Sequence, residues 1–121
     1  MSKKKNVLIV DDEPKIRDIF RRSLQPAGYH IINAADGEEA LIVFRNEEEI
    51  ALVILDIGLP KISGIDVFEL IRIRSPRVKI IVASIHPYEE QKFLIWNADD
   101  YYYKSEHISV LKEKVRTLLK G

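Results

Sequence analysis

The sequence predicts a single α/β domain in which strands and helices alternate along the whole chain. Short runs of apolar, mostly β-branched residues recur, and between them apolar residues return at three- and four-residue spacings. The length of 121 residues suits one domain and is too short for two. Strands linked by helices of this length run parallel with right-handed crossovers, so we expect a doubly wound (βα)5 sheet over residues 1–121.

The first half of the chain supplies two strands and two helices. Asn6–Val10 is a continuous apolar run, as expected of a strand that is buried on both faces. Pro14 suits the first turn of the helix that follows, and Pro26 and Gly28 end it. The apolar stripe of this helix is Ile16, Ile19, Phe20 and Leu24. Residues 29–34 are the second predicted strand and residues 38–45 the second helix, which is capped at Asp36-Gly37.

The second half repeats the same pattern three times. Residues 51–56, 78–84 and 101–103 are predicted strands. An irregular loop marked by glycine and proline follows the first of these, and a helix with the apolar stripe Ile65, Phe68, Leu70 and Ile71 comes next. Residues 87–97 are predicted to form a short helix and residues 108–120 a closing helix. The inward residues of the closing helix are Val110, Leu111, Val115, Leu118 and Leu119.

Composition excludes several kinds of protein. Nineteen basic residues balance nineteen acidic ones, which disfavours direct binding to nucleic acid. The absence of cysteine excludes a disulfide framework and thiolate metal sites, and it is typical of a cytoplasmic protein. The apolar runs are far shorter than the ~20 residues that span a bilayer, so we expect no membrane association.

Acidic residues follow two of the predicted strands. Asp11 and Asp12 come directly after the first strand, and Asp56 ends the third. In a flavodoxin-like sheet of order 2-1-3-4-5 these strands are neighbours, and their carboxyl ends flank the point where ligands bind. Carboxylates ~4 Å apart repel by about 4 kcal/mol at an effective dielectric constant of ~20, so such a cluster needs a cation or a proton. Oxygen ligands alone favour Mg²⁺, whereas the alternative is that these aspartates only cap turns.

Two further polar residues end the last two strands. Ser84 offers a hydroxyl and Lys104 an ammonium at the same edge of the sheet. Together they could hold the oxygens of a phosphoryl group, although each alone could be an ordinary surface residue. A second acidic pair, Asp99-Asp100, precedes the fifth strand, so we expect it at the opposite edge with a role in a loop.

Four segments resemble the signature blocks of the bacterial two-component receiver family, in order over nearly the whole chain. They are VLIVDDEP (7–14), LDIGLPKISG (55–64), IIVAS (80–84) and ADDYYYK (98–104). The resemblance implies that Asp56 is the phosphoacceptor and that Asp12 binds Mg²⁺ directly, with Asp11 acting mainly through water. It also implies that the backbone carbonyl of Gly58 is a metal ligand. Ser84 and Lys104 would contact the phosphoryl oxygens, and Tyr101 would be the aromatic switch.

The same resemblance implies a signalling role and not an enzyme in the conventional sense. A sensor histidine kinase would be the phosphodonor, and a downstream protein or output domain would read the modified state. The domain would catalyse its own phosphoryl transfer and its slow dephosphorylation. The alternative is a receiver-like interaction module with little phosphorylation. A phosphatase with an aspartate nucleophile is disfavoured because position 58 is glycine, where those enzymes usually carry a second acidic residue.

The chain departs from its family around the predicted switch. Ser105 stands where the family usually has proline after a cis peptide, and Glu106 stands where an aromatic residue is common. Ile85 replaces a small residue and could crowd the path of Ser84 or Tyr101. These departures leave open the geometry of the loop that carries Lys104.

Overall fold

The computed structural model of the chain describes residues 4–46, 49–59, 63–85 and 97–120. In these residues the strands are β1 (Asn6–Val10), β2 (His30–Ala34), β3 (Ile50–Asp56), β4 (Lys79–Ser84) and β5 (Asp100–Tyr103). The helices are α1 (Pro14–Leu24), α2 (Gly37–Asn46), α3 (Gly64–Arg74) and α4 (Ile108–Leu118). All neighbouring strands pair in parallel in the order β2-β1-β3-β4-β5, which confirms the predicted topology. The helix predicted over residues 87–97 lies, except for residue 97, outside the described residues.

The core has two layers because the side chains of the central strands alternate between the two faces of the sheet. One layer, here called the α2–α3 face, contains alternate residues of β1, β3 and β4 packed against Phe44, Val67, Phe68 and Ile71. The other, the α1–α4 face, contains the intervening strand residues packed against Phe20, Leu24, Leu111 and Val115. Helices therefore cover both faces, and the carboxyl edge of the sheet stays free for loops.

Two of the predicted inward residues face solvent. Ile19 is 47% exposed and Leu70 is 46% exposed. Each directly precedes the residue that takes the core position, Phe20 in α1 and Ile71 in α3, and neighbouring residues on a helix point about 100° apart. The apolar stripe of α1 is therefore narrower than predicted. In α3 the stripe is displaced, because Leu70 lies outside it and Val67, which the predicted stripe omitted, is buried.

Side chains and glycine define the ends of several helices. Gly28 ends the turn after α1 with a φ of 102°, a left-handed conformation that favours glycine. Asp36 Oδ1 accepts a hydrogen bond from the Glu39 amide at 2.9 Å, and Glu39 Oε1 accepts one from the Ala35 amide at 3.0 Å. This reciprocal cap confirms the predicted start of α2. Ser63 caps α3 by accepting from the Asp66 amide at 3.2 Å.

The second acidic pair lies at the amino edge of the sheet, as predicted. Asp99 Oδ2 accepts hydrogen bonds from the Ile80 amide at 2.8 Å and from Arg72 Nη2 at 3.1 Å. Asp100 Oδ1 accepts from Lys114 Nζ at 2.9 Å. These contacts connect the starts of β4 and β5 to α3 and α4, so the pair has a structural role far from the carboxyl edge.

Candidate functional site

Three carboxylates meet at the carboxyl edge of β1 and β3. Val10 pairs with Leu55 in the parallel ladder, so the residues that follow them, Asp11 and Asp56, emerge side by side. Asp12 joins them, and one carboxylate oxygen from each of the three residues lies within 4.8 Å of the other two. The prediction that the loops after the first and third strands bring these residues together is confirmed.

The cluster is buried on one side and open on the other. Asp11 is 1% exposed and Asp56 is 7% exposed, whereas Asp12 is exposed to solvent. Asp11 Oδ1 accepts a hydrogen bond from the Glu13 amide at 2.9 Å, and Asp56 Oδ1 accepts one from the Gly58 amide at 2.8 Å. The loop after each strand therefore holds one oxygen of the buried carboxylate that precedes it.

Lys104 inserts its ammonium between the two buried carboxylates. Its Nζ lies 2.6 Å from Asp11 Oδ2 and 3.3 Å from Asp56 Oδ2, and its side chain is only 8% exposed. Burial disfavours the charged lysine, but the contact with Asp11 and the charges of both carboxylates outweigh it and raise the pKa of Lys104 above its usual value. Lys104 is therefore a fixed cation in this pocket.

The pocket still has an excess of negative charge, which suits a divalent cation. Burial raises the pKa of Asp11 above its usual value, and the contact with Lys104 compensates only in part. Among the described residues, no donor makes a well-aligned hydrogen bond to the buried Asp11 Oδ2, which Lys104 contacts only as an ion pair. Three carboxylates face one ammonium, and the atoms that they offer to a metal are all oxygens. This donor set fits Mg²⁺, with exposed Asp12 on the side that waters can reach.

Ser84 and Tyr101 lie on a common face of the sheet. Ser84 is buried, and its carbonyl accepts a hydrogen bond from the Lys104 amide at 2.8 Å. Val82 pairs with Tyr101, so alternation places the Ser84 and Tyr101 side chains on the α2–α3 face, where Tyr101 is partly buried against the core. Ile85 is 64% exposed, so most of its side chain faces solvent and not the space between Ser84 and Tyr101.

The loop that carries Lys104 reaches the pocket without a cis peptide. Every peptide bond in the described stretches is trans, including the bond before Ser105. The departure from the usual proline has therefore not displaced the Lys104 ammonium from the carboxylates. The Gly58 amide is placed by its hydrogen bond to Asp56, and the metal-binding role of the Gly58 carbonyl stays a prediction.

One residue that contacts the site had no signal in the sequence. Arg17 of α1 donates from Nη1 to the backbone carbonyl of Asp11 at 2.6 Å and so ties the helix to the loop of the first two aspartates. An arginine on an amphipathic helix is expected to face solvent, and nothing in its spacing distinguishes it from the other basic residues of α1.

Comparison with known proteins gives the family. Residues 7–116 match the response regulator receiver domain. The chain belongs to this family. Among solved structures it is similar to TrrA of Thermotoga maritima in complex with Mg(2+)-BeF, with 43% identity, a TM-score of 0.87, and coverage of 95% of this chain and 99% of that chain. CheY4 of Vibrio cholerae is 26% identical, with a TM-score of 0.90 and coverage of 97% and 100%.

Curated relatives of this receiver domain include regulators about twice its length. The "Probable transcriptional regulator ycf27" of Cyanophora paradoxa is 37% identical over 118 residues, which are 97% of this chain and 49% of that protein. The alkaline phosphatase synthesis transcriptional regulatory protein PhoP of Bacillus subtilis is 34% identical over 96% of this chain and 49% of its own length. This chain thus spans about half the length of these relatives. In its described part, no helix is both long enough and apolar enough to cross a bilayer.

Replacing Asp11 with asparagine is expected to stabilise the receiver domain when Mg²⁺ is absent. Burial raises the pKa of Asp11, so its negative charge is less favourable in the folded than in the unfolded chain, and removal of the charge should raise the free energy of unfolding. Urea unfolding in EDTA measures this change. Added Mg²⁺ should stabilise the wild type more than Asp11→Asn, because the variant has lost one oxygen-ligand charge.

Asp18→Asn is the control for the loss of an aspartate charge. Asp18 is on the surface of α1, where the hydrogen bond from Arg21 keeps the pKa of Asp18 below its usual value. Its replacement should lower stability slightly and by the same amount with and without Mg²⁺. A lower stability of Asp11→Asn in EDTA would contradict the view that burial makes the charge of Asp11 unfavourable.

Proposed function

We propose that this receiver domain accepts a phosphoryl group on Asp56 from the phosphohistidine of a sensor histidine kinase, in a reaction that requires Mg²⁺. The observation that carries the proposal is the convergence of three carboxylates with the Lys104 ammonium 3.3 Å from Asp56 Oδ2. Asp56 is more accessible than Asp11, at 7% against 1% exposure. TrrA, which is 43% identical to this chain, has been solved in complex with the histidine kinase ThkA.

The residues of the pocket suit an in-line transfer. A carboxylate oxygen of Asp56 attacks the phosphorus, the bond from phosphorus to the donor imidazole nitrogen breaks, and its electron pair stays on that nitrogen. Asp56 becomes an acyl phosphate. Lys104 neutralises charge on the transferring oxygens, and the Ser84 hydroxyl donates to one of them. Such transfer depends mainly on positioning and electrostatics, which a fixed ammonium and a buried hydroxyl supply.

Asp11, Asp12 and Asp56 would hold the metal together with the Gly58 carbonyl. The bound Mg²⁺ would supply positive charge to the phosphoryl oxygens during transfer. Asp12 would bind directly and Asp11 mainly through water, in keeping with the family. Two observations support this division. Asp12 is exposed whereas Asp11 is buried, and both oxygens of Asp11 already have contacts, one with the Glu13 amide and the other with the Lys104 ammonium.

The modified state would be read through Ser84 and Tyr101. Ser84 and Lys104 have phosphoryl oxygens to contact in the modified state and none in the unmodified state, and this differential contact is what permits a shift between two conformations. Tyr101 lies on the same face as Ser84 and would turn inward as the hydroxyl moves. The output would pass to a downstream protein or an output domain in the cytoplasm. Attack of water on the phosphorus would later restore the carboxylate and release phosphate.

Uptake of phosphate from a small donor tests this function directly. We expect the protein incubated with acetyl phosphate and Mg²⁺ to gain one phosphoryl group by intact mass, and the gain to vanish in EDTA. Hydroxylamine should remove the group, as it does from an acyl phosphate and not from a phosphoserine. Absence of uptake from both acetyl phosphate and purified histidine kinases would favour the alternative, an interaction module with little phosphorylation.

Lys104→Ala is expected to lower the rate of phosphoryl uptake by roughly 10²–10³-fold, because it removes the only described ammonium that contacts Asp56. The rate follows from intact mass at a series of acetyl phosphate concentrations. Lys114→Ala is the matched control, since Lys114 is also a partly buried lysine paired with an aspartate but lies at the amino edge. Equal rates for Lys104→Ala and Lys114→Ala would remove Lys104 from the reaction.

A further inference from the structure

The turn between β5 and α4 is organised by Glu106, a residue where the family commonly has an aromatic side chain. The Glu106 amide donates to the Tyr103 carbonyl at 2.8 Å, and the Tyr103 amide donates to Glu106 Oε1 at 3.0 Å. The two residues are thus joined by two hydrogen bonds across Lys104 and Ser105, an arrangement that we call the clasp. The backbone of this turn is closed by a side chain and has no proline.

Tyr102 fastens the same turn to the core. Its hydroxyl donates to the Glu106 carbonyl at 2.6 Å, while its ring is 2% exposed and meets Phe20 edge to face at 6.0 Å between ring centroids. Burial and the Glu106 carboxylate raise the pKa of Tyr102, so the hydroxyl keeps its proton and remains a donor. Both backbone polar groups of Glu106 and its carboxylate are therefore engaged in holding the turn.

Lys104 lies inside this clasp. Its amide donates to the Ser84 carbonyl at 2.8 Å on one side, and its ammonium reaches Asp11 and Asp56 on the other. We propose that Glu106 and Tyr102 are positioning residues that hold the Lys104 ammonium at the phosphorylation pocket in place of the proline usual in the family. The inference rests on the proposed function of Lys104, because it concerns how that lysine is aimed.

Three variants test the clasp. Glu106→Ala removes the acceptor for the Tyr103 amide, Glu106→Gln keeps an oxygen acceptor, and Tyr102→Phe removes only the hydroxyl. Misplacement of a catalytic group by about 1 Å can cost up to ~10² in rate, so we expect Glu106→Ala to slow phosphoryl uptake from acetyl phosphate by about tenfold. Tyr102→Phe should slow it by about threefold, and Glu106→Gln should stay within about twofold of the wild type. Glu69→Ala, an exposed glutamate of α3, is the control.

Two further readouts distinguish positioning from general damage to the site. Mg²⁺ affinity, measured by calorimetry without phosphodonor, should not weaken in Glu106→Ala, because the carboxylates belong to other loops. The second readout is acylation of Lys104 by a succinimidyl ester in EDTA, followed by peptide mass spectrometry. It should be at least about threefold faster in Glu106→Ala than in the wild type, with exposed Lys112 as the internal reference.

The outcomes separate this inference from the proposed function. Suppose that the wild type takes up a phosphoryl group, and that Glu106→Ala and Tyr102→Phe match it both in the rate of uptake and in the rate of Lys104 acylation. This result overturns the clasp and leaves the proposed function intact. Weaker Mg²⁺ binding in Glu106→Ala also overturns it, because the effect would then extend to the whole pocket. If the wild type takes up no phosphoryl group, the proposed function fails, and faster acylation of Lys104 in the variants still supports the clasp.

Discussion

Asp56→Asn is expected to abolish Mg²⁺-dependent phosphoryl uptake, the largest effect of any single change at the site. Asparagine keeps the shape of the side chain, and its carbonyl oxygen can still accept the hydrogen bond that the Gly58 amide donates at 2.8 Å. It lacks the anionic oxygen that attacks phosphorus, and it removes one of the three carboxylates of the cluster. Intact mass after incubation with acetyl phosphate and Mg²⁺ should show only unmodified protein.

Asp66→Asn is the matched control for this experiment. Asp66 is an exposed aspartate in the first turn of α3, close in sequence to the loop after β3 and outside the carboxylate cluster. It should take up one phosphoryl group at the wild-type rate. A phosphoryl group that appears on Asp56→Asn and is released by hydroxylamine would show that another carboxylate is the acceptor.

Gly64→Ala is expected to destabilise the domain by about 3 kcal/mol or more, even though alanine favours helices over glycine by about 1 kcal/mol. A Cβ atom at Gly64 would lie 2.2 Å from Ile57 Cα and 2.6 Å from the Asp56 carbonyl oxygen. These are backbone atoms, which cannot rotate away as a flexible side chain can. The start of α3 or the loop after β3 must therefore move, and this loop begins directly after Asp56, the proposed phosphoacceptor.

Urea unfolding checks the stability of Gly64→Ala, and the same sample can be assayed for phosphoryl uptake. Gly58→Ala is the control for stability, because a Cβ atom there would meet only Asp56 Oδ1, at an ordinary contact distance of 3.4 Å. We expect Gly58→Ala to unfold near the wild-type urea concentration. Equal stabilities for the two variants would show that α3 can shift at its start without cost.

Patterns local in the chain were enough to predict the strands and the acidic pocket. Each central strand is a short apolar run, and a strand buried on both faces needs no information from distant residues to be recognised. The parallel order of the strands then follows from the helical connections. Because Asp11, Asp12 and Asp56 stand at the carboxyl ends of strands that pair, the convergence of their carboxylates could be predicted before any coordinates.

The tertiary structure alone decided how those residues are held. Which side of a helix is buried depends on how the helix lies on the sheet, so Ile19 and Leu70 fit the apolar period and still face solvent. Arg17 meets a carbonyl six residues away, and the space at Gly64 is filled by the backbone of Ile57. Such contacts leave no repeating pattern in the sequence, because they depend on how distant segments pack together. The ends of the strands and the positions of the charged residues, in contrast, can be read directly from the sequence.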